Sequence, residues 1–86
     1  MKLQGAIIKE QGIQFAIVIV KQHVVQNPST ANEMIQTCRP VFAGVPVVLM
    51  AQSSGGTPTY YGRKDIAKFM ADVPLRAVPW QEFTIG

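Results

Sequence analysis

Phe15-Ala16-Ile17-Val18-Ile19-Val20 is a run of six apolar residues, most of them β-branched or aromatic. Alternate side chains of a strand point to opposite faces, so Phe15, Ile17 and Ile19 project one way and Ala16, Val18 and Val20 the other. A strand with polar residues at neither parity needs cover on both faces. Six residues are few for a helix, and β-branched side chains that lose rotamer freedom in a helix suit a pleated surface. The run reads as the central strand of a sheet, with elements or partners covering both sides.

Before it, Leu3 to Ile8 reads as a strand, and Lys9-Glu10-Gln11-Gly12 as the turn of a hairpin in which Gly12 supplies a positive φ. The central strand starts near Ile13 and is expected to run on toward Val25. Lys21 to Gln26 mixes polar and apolar residues, as a strand does where it emerges from the core. Asn27-Pro28-Ser29-Thr30 starts a helix in either of two ways. Thr30 and Glu33 match a capping box, while Asn27 as cap with Pro28 in the first turn is equally legal. Ala31, Met34, Ile35 and Cys38 share one helical face, and Pro40 ends the helix at or before Arg39.

A third strand, Val45 to Gln52, is again apolar at both parities. A strand, a short helix and a strand imply a right-handed parallel crossover, with the third strand beside the second. Ser53-Ser54-Gly55-Gly56 is a turn, and Thr57 to Tyr61 a short strand that Pro58 assigns to an edge. A second helix spans Arg63 to Val73, with Ile66, Phe69, Met70 and Val73 on one face. The last strand, Arg76 to Ile85, contains Pro79 and is interrupted there or lies at an edge. It pairs with the first strand or the third.

The fold class is therefore a small single-domain α/β sandwich over residues 1–86. Its mixed sheet has about five strands and two helices in the order β-β-α-β-β-α-β. It has two layers, or three if the helices take opposite faces. Val45-Pro46-Val47-Val48-Leu49, with the Gly turn, short strand and helix that follow, resembles the closing half of a thioredoxin-type fold. The likeness covers residues 45 to 73 and concerns architecture. The redox CxxC pair is missing, since Cys38 is the single thiol.

That single cysteine rules out an internal disulfide and any multi-cysteine zinc site, and it fits a reducing compartment, read here as cytoplasm. Met1-Lys2-Leu3-Gln4-Gly5 does not read as a signal peptide, and no apolar run approaches the ~20 residues that span a bilayer. The chain is 48% hydrophobic and 15% charged, against a usual charged share of about 25%. Two short helices then look insufficient to shelter the sheet, and self-association as a homodimer is the expectation. The net charge of +3 permits an anionic partner, but the excess is small.

The candidate site is the junction from Ser53 to Lys64. A helix start favours acids, yet this one opens with Arg63-Lys64, only partly offset by Asp65. Two cations there make sense if an anion binds. Ser53, Ser54, Gly55 and Gly56 add hydroxyl and backbone donors, Tyr60 and Tyr61 can stack on a ring, and Lys68 extends the positive stripe by one turn. Phosphate-loop spacing is absent. Of the two tyrosines, on opposite faces of a strand, one is expected in the core and the other in the site.

His23 has no evident carboxylate partner, and Cys38 lies on an apolar helix face, so neither reads as catalytic. Glu10, Glu33, Asp65, Asp72 and Glu82 are scattered, and neither a metal nor a cofactor is implied. The leading expectation is a non-catalytic module that self-associates or docks another protein. The alternative is a binder of an anion, nucleotide or nucleic acid. An enzyme with a site across a dimer, using His23 or Cys38, has the least behind it.

Overall fold

The computed structural model describes residues 2–10, 12–52 and 58–84, the Leu75 side chain excepted. Strands β1 (Lys2–Glu10) and β2 (Ile13–Ile19) form the expected antiparallel hairpin, closed by the Glu10↔Ile13 pair with Gly12 at φ 80°. Helices α1 (Gln22–Gln26) and α2 (Pro28–Cys38) lead through a 3-10 turn (Arg39–Phe42) to β3 (Val47–Gln52). Strand β3 lies parallel to β2, as the crossover requires. Strand β4 (Pro58–Tyr61) is an edge, followed by α3 (Lys64–Ala71), a 3-10 turn (Leu75–Ala77) and β5 (Gln81–Thr84). The sheet order is β4-β3-β2-β1-β5, so the last strand pairs with the first.

The central run is covered on both faces by one chain. Ala16, Val18 and Val20 pack with Val47, Leu49 and Ala51 beneath α1 and α2, where Ala31 and Cys38 complete the layer. Phe15 and Ile17 pack with Val48 and Met50 against Ile66 and Met70 of α3. The helices thus take opposite faces, and the sandwich has three layers. Phe15 is 2% exposed, and Ala16, Ile17 and Val18 are fully buried. One chain thus shelters Phe15 to Val18 completely, while Ile19 is half-buried.

Two local readings are corrected and one open choice is settled. β2 stops at Ile19, and Gln22–Gln26 is helical rather than strand. Val20 still donates its N–H to the Met50 carbonyl, after which Val24 N–H turns back onto the Lys21 carbonyl and the Val24 side chain enters the core. A strand reaching Val25 would leave two residues to bring the chain round to Pro28, whereas one helical turn buries Val24 and reverses the chain at once. Asn27 wins the cap: its side chain accepts from Ser29 and Thr30 N–H at 3.0 and 3.4 Å, with Pro28 beginning the helix. Strands β3 and β5 are also shorter than read, starting at Val47 after Pro46 and at Gln81 after Pro79.

Gly5 sits where β1 is flanked by β2 and β5. A Cβ there would come within 2.7 Å of the Ile17 carbonyl oxygen and 3.5 Å of the Phe42 ring. Phe42 and Phe83 meet edge to face, 4.7 Å between centroids, over the space this glycine leaves. No helix among the described residues is long and apolar enough to cross a membrane.

Candidate functional site

Strands β3 and β4 are antiparallel, so the start of β3 and the end of β4 lie at one end of the sheet. The connection from α2 arrives there and α3 departs from there. Between them lies an open cavity of about 670 Å³. Its basic groups are Arg39 from the 3-10 turn, Arg63 at the cap of α3 and Lys64 in the first turn. Asn32, Tyr60 and Tyr61 supply polar atoms, and Ile35, Pro46 and Val47 an apolar wall. No carboxylate is among its described lining residues.

The two tyrosines owe their places to strand parity. Tyr60 pairs with Met50 and joins the α3-side core, while Tyr61 pairs with Leu49 and joins the α2-side core. Both are half-buried and both border the cavity, so the expected division into one core and one site tyrosine does not hold. The Tyr61 hydroxyl donates to Asn32 Oδ1 at 3.4 Å, tying β4 to α2. The Tyr60 hydroxyl is buried without a hydrogen-bond partner among the described residues, and burial pushes its pKa up. Gly62 allows the chain to turn from β4 into α3 at φ 150°, where a Cβ would lie 3.0 Å from Val48 Cγ2 and 3.2 Å from the Val47 carbonyl oxygen.

The cations differ in their freedom. Arg63 donates a fork of hydrogen bonds to Asp65, Nε to Oδ1 at 3.1 Å and Nη2 to Oδ2 at 2.6 Å. That guanidinium holds the Asp65 carboxyl below the usual carboxylate range, helped by the backbone N–H of Ile66. Arg39 and Lys64 make no ion pair among the described residues. They are the groups left to meet an incoming negative charge.

Of the residues read from the sequence, Tyr60, Tyr61, Arg63 and Lys64 converge on this cavity, and Lys68 does not line it. Ser53, Ser54, Gly55 and Gly56 lie outside the described residues; Gln52 and Pro58, which flank them, pair at the end of β4 away from Gly62. Arg39 and Asn32 are additions. Their signal was topological: a parallel crossover followed by a hairpin returns the residues before β3 to the end where β4 finishes. His23 is exposed on α1, and Cys38 is fully buried with its thiol pKa pushed up by burial. Among the described residues, no group of three His, Cys, Asp or Glu side chains could hold a metal ion. No protein-family model matches the chain, and neither a curated protein nor a solved structure does, so the thioredoxin-type likeness over residues 45–73 names no family.

Proposed function

We propose that the protein is a small non-catalytic binding module whose cavity beside Tyr61 and Lys64 takes a nucleotide-sized anion carrying a ring. The observation behind this is the lining itself: three cationic side chains and two tyrosines around about 670 Å³, with no described carboxylate among them. That volume falls within the range of about 300–1,000 Å³ typical of small-molecule sites. The ring would rest against the tyrosines and the apolar wall, and its charged end would meet Arg39 and Lys64.

A mononucleotide suits the site better than a nucleic acid. Polynucleotide binding draws on several phosphates spaced along a basic track, and here two cations with no ion pair among the described residues share one hollow. Calorimetric titration with adenosine, guanosine and cytidine monophosphates tests the reading. We expect binding that weakens as salt rises and falls by about tenfold or more in Lys64→Glu and Arg39→Glu. Salt-insensitive binding, or none to the wild type, sinks it; tight binding to oligonucleotides alone would move the site to the nucleic-acid class.

Self-association keeps one supporting observation. Ile13 and Phe69 are 42% and 37% exposed, and both lie on the α3 side of the sheet, where Phe69 meets Phe15 edge to face at 6.2 Å. Two part-exposed side chains are far short of the roughly 800 Å² per partner of a stable interface, which places a homodimer second. Light scattering of the wild type and Ile13→Lys at high concentration decides it. The reading places the protein in the cytoplasm, on the strength of its unbridged thiol.

A further inference from the structure

The cover over β2 thins at its carboxyl end. Phe15 to Val18 are sealed on both faces, but beyond Val20 the chain swings away into α1, and Leu3 and Met34 on that side are only half-buried. A second hollow of about 590 Å³ opens there. Leu3, Val20, Val24 and Met34, all on the α1 and α2 side, make its largely apolar walls. Lys2, Lys21 and His23 stand at its rim, and no carboxylate is among its described lining residues. Glu82 approaches Lys2 at 3.7 Å, whereas Lys21 has no ion pair among the described residues. The hollow shares no described lining residue with the cavity beside Tyr61.

The two hollows select different chemistry. The first offers tyrosines and guanidinium groups to a polar ring. The second offers aliphatic side chains below and positive charge above, so a hydrophilic anion would leave the walls wet. An alkylammonium would bring like charge to Lys21. We propose that the hollow at the end of β2 binds a medium-chain fatty acid, with its chain against Leu3, Val24 and Met34 and its carboxylate at Lys21. Burial of the alkyl chain supplies the attraction, and the charge at the rim supplies the choice of head group. This does not depend on the nucleotide reading.

Amide chemical shifts of the whole protein, titrated with octanoate below its micellar concentration, test the proposal. We expect saturable shifts centred on Leu3 and Val20 to Val24, with none from octylamine at equal concentration. Lys21→Glu, an exposed position, should weaken octanoate binding by about tenfold, and Lys64→Glu should leave it unchanged. Equal binding of octylamine would reduce the hollow to a greasy patch and overturn the proposal. So would shifts centred on Tyr60 to Lys64, unsaturable shifts, or full affinity in Lys21→Glu. If raising protein concentration alone moves the same amides, a second copy occupies the hollow and the fatty acid is ruled out.

Discussion

Gly62 shows how one residue couples backbone conformation to a cavity. Its φ of 150° strains any side chain, and a Cβ there would crowd β3 at 3.0–3.2 Å. Gly62→Ala is expected to cost about 1–3 kcal/mol in denaturant unfolding and to disturb the mouth of the site. An unchanged midpoint would mean that the β4–α3 turn relaxes freely. Cys38 and Tyr60 make a pH prediction. Burial raises both pKa values above their ordinary 9.0 and 10.0. In the alkaline range the unfolded chain therefore loses these protons while the folded one keeps them. Their contribution to stability is full below those ordinary values and is lost as pH rises through the raised, folded ones. Thermal unfolding followed from neutral to alkaline pH should show a falling midpoint, and Cys38→Ala, though less stable overall, should show a shallower fall. A wild-type midpoint that stays flat would contradict the burial of the thiol.

Among the elements, α2 and α1 show where local signals suffice and where they compete. Two caps were legal for α2, and the structure uses Asn27. Asn27→Ala should destabilise by ~1 kcal/mol, as loss of a capping side chain does, while Thr30→Ala should stay within about 0.5 kcal/mol. The reverse ranking would restore the capping box. The periodicity of α2 and α3 was plain because four apolar residues at helical spacing admit one interpretation. α1 was misread because Gln22-His23-Val24-Val25-Gln26 is too short to distinguish one turn of helix from a fraying strand. Its state is decided by where Val24 can reach the core, and that depends on how β3 and α2 pack around it.

For the molecule as a whole, three layers in one chain change what the apolar composition implies. An interior strand covered by α1, α2 and α3 is what folding as a single subunit requires, and the unfolding midpoint is then expected not to move over a hundredfold range of protein concentration. A midpoint that climbs with concentration would couple folding to association and revive the homodimer. The remaining apolar exposure is local: the Ile13 and Phe69 side chains, Ile7, and the hollow at the end of β2.

Residue order was enough to identify the central strand, its parallel partner, the β4 edge and a basic, tyrosine-bearing start to α3. These are properties of neighbours, and parity or spacing expresses them within a dozen residues. The pairing of β5 with β1, the helical state of Gln22–Gln26 and the meeting of Arg39 and Asn32 with Tyr61 and Lys64 came only with the three-dimensional fold. Each depends on groups far apart in the chain competing for the same core or the same end of the sheet. That competition is settled by packing, for which a local pattern carries no term.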